Sequence, residues 1–540
     1  MSSSTIHTEA TFETACIEML VETGWGEGKA ADYDVELALD IKVVIEFLQW
    51  SQPSEWKRYV EYYKDDARTK LFQRLHRELD LRGTLDVLRN GITDSGIKFQ
   101  LAFFEPDHGL NPETLQLFAE NRLTVTRQVH YSKNEPKKSI DLVLFVNGLP
   151  VATVELKNHF TGQTVSNAMR QYREDRDPRE LLFQYKKRAL VHFAVDPDDV
   201  FLTTKLDGSH TAFLPLNKGN NGGAGNPINP TDYKTEYFWK EILTPRSWFE
   251  LLGRFLHIQK EKIESNGKFY TKEKTLFPRY HQIDVVRKLR DDARQNGPGK
   301  NYLIQHSAGS GKSNSIAWLA YRLSSLYTAN DKRIFDSVIV VTDRNVLDLQ
   351  LQETIYQFEH KQGVVQRIDD DSKQLANAIK TGTNIIITTL QKFPYALEHI
   401  GSISNKNYAV IIDEAHSSQG GESSRMMKEA LIGKNVSLEE TEQIEAELEN
   451  TEQDTDDIIR ETIQKRGPQP NISIFAFTAT PKAKTLEVFG TRNAEGKPRP
   501  FHLYSMRQAI EEHFILDVLK NYTTYQTYYR FCKQIADAPD

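Results

Sequence analysis

An α/β fold is predicted for this 540-residue chain from three features of its sequence. From residue 301 onward, short β-branched runs alternate with helical patterns at the intervals of βαβ units, which predicts a parallel sheet covered by helices. Residues 99–195 are rich in strand signals and contain two very apolar runs around an Asn-Gly pair. The length exceeds what one hydrophobic core holds, so about three compact units are expected.

In chain order, residues 12–24 place Phe12, Cys16, Met19, Leu20 and Thr23 at helical spacing before Gly24. Residues 47–88 read as further helices rich in Trp, Tyr and Leu. After the strand-rich stretch, residues 215–233 form the sharpest change in composition and read as a flexible linker in preference to an ordered loop that approaches a ligand. Residues 237–264 read as a helical bridge. Strands are expected at 301–305, 337–342, 384–389, 408–412 and 472–477. The acidic segment 438–461 is punctuated by Leu, Ile and Ala and reads as a solvated helix pair. These divisions place units at 1–215, 216–265 (linker and bridge), 266–500 and 501–540.

Composition is ordinary for a globular protein, with 39% hydrophobic and 26% charged residues. The net charge of −7 does not mark a nucleic-acid binder, but a local basic track can act inside an acidic total. Only Cys16 and Cys532 are present, which excludes a disulfide framework or a cysteine metal cage. No apolar run is long enough to span a bilayer, and the first residues carry no secretory pattern. A cytoplasmic protein without membrane contact is expected.

The segment His306-Ser307-Ala308-Gly309-Ser310-Gly311-Lys312-Ser313 lies between a predicted strand and a predicted helix. That is the context of a phosphate-binding loop, whose amides and helix N-terminus face anionic phosphates. Lys312 would reach the β- and γ-phosphates of ATP, and the Ser313 hydroxyl would ligate Mg²⁺. The strict pattern has Gly where His306 stands. Downstream, the strand 408–412 delivers Asp413-Glu414-Ala415-His416. Asp413 would hold Mg²⁺ through water, and Glu414 would orient and deprotonate the attacking water. Upstream, Arg279-Tyr280-His281-Gln282 offers an amide able to pair with an adenine edge. Val341-Thr342-Asp343-Arg344 and Thr388-Thr389-Leu390-Gln391 sit at strand ends with hydroxyls suited to phosphates, and Phe477-Thr478-Ala479-Thr480-Pro481 follows another strand. In this order the motifs resemble those of superfamily 2 helicases and translocases.

The apolar hairpin carries Asp141, Glu155 and Lys157. Glu155 and Lys157 are two apart in a strand and share a face. A two-residue Asn-Gly turn would put Asp141 opposite Val154, on the other face. A three-residue loop would put it opposite Thr153, diagonal to Glu155. The three-residue loop is therefore the expectation if the trio forms a site. Two carboxylates would bind Mg²⁺, and Lys157 would orient a water or stabilise charge on the scissile phosphate. The Asp-x13-Glu-x-Lys pattern resembles PD-(D/E)xK nucleases. Glu13 is a candidate for an extra acid, although a surface glutamate on its helix is the favoured reading.

A nuclease preceding a superfamily 2 motor is the order in the R subunits of type I restriction enzymes. Residues 141–158, 305–313, 342–348, 388–393, 475–481 and 505–522 resemble that family. The resemblance implies a PD-(D/E)xK nuclease domain at 1–215, a first RecA-like lobe at 266–500 and the start of a second lobe at 501–540. It also implies ATP-driven translocation on double-stranded DNA, cleavage of unmethylated DNA, and partner methyltransferase (M) and specificity (S) subunits. Two departures stand out. Related nucleases carry Gln-x-x-x-Tyr after the lysine, whereas here Gln171 is followed directly by Tyr172. About forty residues follow Phe501, too few for a second lobe of on the order of 150 residues, so a truncated, translocation-incompetent chain is expected. A stand-alone repair helicase with an accessory nuclease and an uncoupled ATP- and DNA-binding remnant are the rival readings.

Overall fold

The computed structural model describes residues 9–109, 111–159, 162–265, 268–342, 346–357, 364–368, 372–389, 406–413 and 470–516. Two seven-stranded sheets organise them. The first runs in sequence order through β1 (Gly26–Glu27), β2 (Leu123–His130), β3 (Ser139–Val146), β4 (Leu149–Leu156), β5 (Val191–Val195), β6 (Val200–Thr203) and β7 (Leu214–Pro215). The pair β4–β5 is parallel, and the helix Val165–Glu174 supplies the crossover that a parallel pair requires. Strands β3 and β4 are apolar almost throughout because both faces are covered. Leu142, Leu144 and Val154 enter the main core, while Val143, Phe145 and Tyr172 form a second cluster on the other side.

The turn between β3 and β4 corrects the expected loop. Asn147 and Gly148 both have positive φ, 51° and 83°, the signature of a two-residue type I′ turn. Val146 pairs with Leu149 and Phe145 with Pro150, but Leu144 pairs with Ala152. Val151 is thus the extra residue of a β-bulge, and the bulge shifts every residue beyond it by one position. Continued past Leu142–Val154, the shifted register sets Asp141 across from Glu155. The turn itself is buried. The Asn147 side chain donates to Leu101 O and Asn121 Oδ1 and accepts from Arg122 N.

Gly148 O accepts from Asp40 N at 2.9 Å, where Asp40 caps the helix Ile41–Ser51. A Cβ at Gly148 would lie 2.4 Å from Asp40 O and 2.7 Å from Val44 N, both rigid backbone atoms. Gly148→Ala combines that clash with a positive φ and is expected to cost about 2–4 kcal/mol. Denaturant unfolding of wild type and variant measures this, and a cost below about 1 kcal/mol would contradict the packing.

Residues 216–265 are packed structure, contrary to the expected linker. Lys218 N donates to Asn226 Oδ1 and Gly219 N to Gly225 O, while Asn226 Nδ2 reaches Asp198 O beside the first sheet. The expected helix over 237–264 also breaks. Short helical turns over Phe238–Ile242, Pro245–Glu250 and Leu251–Phe255 lead into the strand His257–Ser265, paired antiparallel with Lys268–Leu276. Lys and Glu favour helix locally, but a pairing partner immediately downstream overrides that preference. Trp25 Nε1 donates to Leu243 O and Trp318 Nε1 to Phe255 O. One core cluster therefore continues from Phe12 through Trp248 to Trp318.

The second sheet contains β8 (Asn301–His306), β9 (Ser337–Thr342), β10 (Val365–Arg367), β11 (Ile385–Thr389), β12 (Tyr408–Ile412), β13 (Ile472–Thr478) and β14 (His502–Tyr504). Its order is β10-β11-β9-β12-β13-β8-β14 and every pair is parallel. The five strands expected from the sequence lie within one residue of the observed bounds. The acidic segment 438–461 lies outside the described residues. Among the described residues, no helix is long and apolar enough to cross a membrane.

Candidate functional site

Two groups of predicted residues come together. The first lies on the face of β3 and β4 that carries Thr153 and Glu155. Glu155 is fully buried, and two nitrogens of Arg176, Nε and Nη2, each stand 2.6 Å from its Oε1. Its Oε2 is buried without a hydrogen-bond partner. Burial pushes the Glu155 carboxyl up to about 8, with the nearby charge of Asp141 adding to the effect and Arg176 opposing it. Asp141 Oδ2 accepts from Leu156 N at 2.8 Å, which holds this carboxylate against the strand bearing Glu155. Lys157 is also buried, and its Nζ donates to Leu156 O at 2.7 Å.

Glu13, on the helix Glu9–Glu22, reaches this face through an intermediary. Gln128 Nε2 donates to Glu13 Oε2 at 2.8 Å and to Asp141 Oδ1 at 3.4 Å. Gln128 has a positive φ of 49° and faces Asp141 where the β2–β3 ladder skips a pair. Tyr172 takes a place beneath the carboxylates. It is fully buried, and its hydroxyl lies 2.8 Å from Thr153 Oγ1, two residues before Glu155. Thr153 Oγ1 also meets Nδ1 of His192, whose imidazole is held neutral by burial, down to about 3.

Arg176 is the residue that sequence reasoning missed. It follows the C-terminus of the helix Val165–Glu174, four residues past Tyr172, and that helical spacing was the available signal. Its Nη1 also donates to the Tyr131 hydroxyl, and its guanidinium lies over the Tyr131 ring. A divalent cation fits this chemistry in one respect: a buried carboxylate oxygen without a donor, beside a second carboxylate, is an acceptor awaiting positive charge. Among the described residues, however, no group of three or more His, Cys, Asp or Glu side chains gathers closely enough to hold a metal. Two carboxylates are the protein's contribution here, with Glu13 held back by Gln128.

The raised Glu155 carboxyl has a consequence for stability. Its folded value lies above the ordinary one near 4.5, so the unfolded chain releases this proton first as pH rises. The metal-free protein should therefore lose stability between about pH 4.5 and pH 8 and level off above. Urea unfolding in chelator at pH 5 and pH 8 tests this; Glu155→Gln should lack that component, and equal slopes in both proteins would refute it.

The second group surrounds the glycine loop after β8. Gly309 and Gly311 have positive φ, 72° and 76°, and Gly311 is the N-cap of the helix Lys312–Ser324. The loop carbonyls are held by the helix Tyr280–Asn296 and the residue before it. Arg279 Nη2 donates to Gly309 O at 2.9 Å, His281 Nε2 lies 3.0 Å from Ser310 O, and Gln282 Nε2 donates to Ser310 O and Gly311 O. A trans peptide points its N–H opposite to its C=O. The amides of Gly311 and Lys312 are thereby turned away from Gln282, as an anion at a helix N-terminus requires. Ala308, Ser310 and Ser313 complete the loop and the first turn of the helix.

Gln282 consequently has another use than the one expected. Its Oε1 accepts from Arg279 N at 2.9 Å, so both ends of the amide are engaged in shaping the loop. Arg279 is likewise buried, with its guanidinium 3.7 Å from the Phe514 ring centroid. His306 is the fully buried last residue of β8. Its Nε2 meets His502 Nδ1 at 2.8 Å, and His502 Nε2 meets Asp284 Oδ2 at 3.0 Å. A strand position packed in this way has no need of the glycine that the strict motif carries.

Asp413 stands at the C-terminal end of β12, two strands from β8 along the same sheet edge, on the order of 10 Å at the usual strand spacing. Its amide donates to Val341 O. Glu414, His416, Asp343, Arg344, Leu390 and Gln391 lie outside the described residues. Thr342, Thr388 and Thr478 are placed at the C-terminal ends of their strands, and Thr480 lies two residues past β13.

Comparison with known proteins agrees with this two-part arrangement. Residues 6–211 match the family model for the type I restriction enzyme R protein N terminus, and residues 281–533 match that for SWI2/SNF2 ATPase. The MjaVIIIP type I restriction enzyme endonuclease subunit of Methanocaldococcus jannaschii is 23% identical over 437 residues, covering 75% of this chain and 39% of that protein. The SsaAORF53P endonuclease subunit of Staphylococcus saprophyticus is 24% identical over 389 residues, covering 69% and 37%. The chain thus spans about two fifths of the length of these relatives. A solved HsdR fragment from Vibrio vulnificus shares 16% identity over 74% of this chain and 59% of that one, at a TM-score of 0.28, too low to bear on the fold.

Proposed function

We propose that this chain, an HsdR-like subunit with a type I R-protein N-terminal region followed by a SWI2/SNF2 ATPase region, is the ATP-driven DNA motor and Mg²⁺-dependent endonuclease of a type I restriction complex. In this reading residues 1–215 are a PD-(D/E)xK nuclease and 266–500 a first RecA-like lobe, with a second lobe beginning at 501–540. The observation that carries the nuclease assignment is the placement of Asp141 against the strand of Glu155, whose Oε2 is buried without a donor.

Asp141 and Glu155 would hold Mg²⁺, and Arg176, locked on Oε1, leaves Oε2 as the coordinating atom. When bound, the cation polarises the scissile phosphate and acidifies a water. Lys157, two residues along from Glu155, supplies a cation to the developing negative charge. In the motor, the amides after Gly309 and the Lys312 ammonium hold the ATP phosphates, Ser313 and Asp413 hold Mg²⁺, and Glu414 activates water. Arg279 and Gln282 set the loop's shape.

Double-stranded DNA is the proposed track, and methyltransferase and specificity subunits are the proposed partners. Reconstitution of the chain, completed by a second motor lobe, with the products of the neighbouring genes tests the reading. Unmethylated plasmid should be cut only with ATP and Mg²⁺, and methylated plasmid should be spared. Cleavage indifferent to ATP and methylation, or an ATPase unaffected by DNA, would sink it.

A further inference from the structure

A cavity of about 820 Å³ opens where three parts of the chain meet: residues 104–109 with Leu115, the helix Pro245–Glu250 with the turn after it, and the helices Tyr280–Asn296 and Lys312–Ser324. Its volume suits a nucleotide-sized ligand. Its floor is built of arginines. Glu250 meets Arg287 Nε at 2.8 Å and Arg322 Nη2 at 3.0 Å, and it also pairs with Arg290. Asp107 meets Arg254 at 3.0 Å and Arg322 at 3.5 Å. Two half-buried carboxylates therefore serve four guanidinium groups. Arg290 turns part of its fork outward to Asp291, which is more than half exposed and screened by solvent. The other acids of the lining are engaged at the rim: Glu105 with Arg246, Glu241 with Lys218, and Asp331 with Gly109 N.

Three further observations point to an absent anion. Arg322 Nε is buried without a hydrogen-bond partner, which is costly for a charged donor. Burial lowers the Arg322 guanidinium to about 10, with Arg290 and Arg254 opposing its charge and Glu250 supporting it. Arg294, one turn beyond Arg290, lines the rim exposed and, among the described residues, without an ion pair. Guanidinium forks set around a half-open pocket match phosphate oxygens in shape and charge.

We infer that this cavity binds a phosphorylated ligand, its phosphates received by Arg322 at the floor and Arg294 at the rim. The aromatic ring of Tyr327, which also lines it and is half-buried, suits a base or sugar. The site is distinct from the glycine loop but linked to it, since Arg322 lies on the helix that Lys312 begins.

Calorimetry on the 540-residue Lys312→Ala chain tests the site with the glycine loop weakened. Tripolyphosphate and a short DNA duplex are titrated separately. One equivalent of tripolyphosphate should bind, and Arg294→Ala should weaken it by roughly tenfold, the worth of a charged hydrogen bond. Arg322→Gln should weaken it at least as much. Arg294 is exposed, so its variant remains decisive even if Arg322→Gln fails to fold. Duplex binding with the same Arg294 dependence and no tripolyphosphate binding would support the site and assign its phosphate to nucleic acid. Binding of neither, or affinity unchanged by Arg294→Ala, overturns the inference. Dependence on Arg294 separates this site from residual binding at the glycine loop, so failure of the nucleotide-loop reading imitates neither result.

Discussion

Replacing Asp141 by Asn, or Glu155 by Gln, is expected to lower Mg²⁺-dependent DNA cleavage by ~10³-fold or more while leaving DNA-stimulated ATP turnover within about twofold. The loss follows from the cation's contribution of several kcal/mol at the scissile phosphate, at ~1.4 kcal/mol per tenfold in rate. The amide variants keep the local architecture: an Asn at 141 still offers an oxygen to Leu156 N, and a Gln at 155 still offers one to Arg176. Plasmid cleavage by the assembled complex, with ATPase measured on the same preparation, separates lost chemistry from lost folding. Retained cutting with both residues replaced would remove the nuclease from this face of the sheet.

Lys312→Ala is expected to weaken ATP binding by roughly 10- to 150-fold, the span of 1.5–3 kcal/mol for a hydrogen bond to a charged group. Lys312 opens its helix beside amides that Gln282 and Arg279 turn outward by holding the loop carbonyls. Glu414→Gln should bind ATP normally and hydrolyse it at a small fraction of the wild-type rate, because it acts on water rather than on the ground-state nucleotide. Calorimetry for binding and phosphate release for turnover make the comparison. Equal ATP affinity in wild type and Lys312→Ala would exclude this loop as the phosphate site.

Much of the architecture was legible in the residues alone. Buried parallel strands announce themselves as β-branched runs, so β8, β9, β11, β12 and β13 could be bounded to within a residue. The glycine loop could be found because its chemistry is contiguous: a strand, two glycines with positive φ and a lysine opening a helix are successive positions. The hairpin at Asn147-Gly148 was equally visible, as was the sharing of one strand face by Glu155 and Lys157.

What the sequence left open is what depends on partners distant in the chain. The face taken by Asp141 rests on a bulge at Val151, and one inserted residue reverses every side chain beyond it without altering the hydrophobic pattern of a hairpin buried on both sides. Arg176 reaches Glu155 across a crossover helix, 21 residues downstream. Gln282 reaches loop carbonyls 28 and 29 residues away. The glycine-rich stretch after Pro215 reads as a linker because composition reports local freedom, yet Asn226 and Lys218 fix it by bonds that form only when the first sheet is assembled. Local propensity and periodicity determine which elements exist; register, burial and the satisfaction of buried polar groups are set by contacts between elements, and these decide which side chains meet.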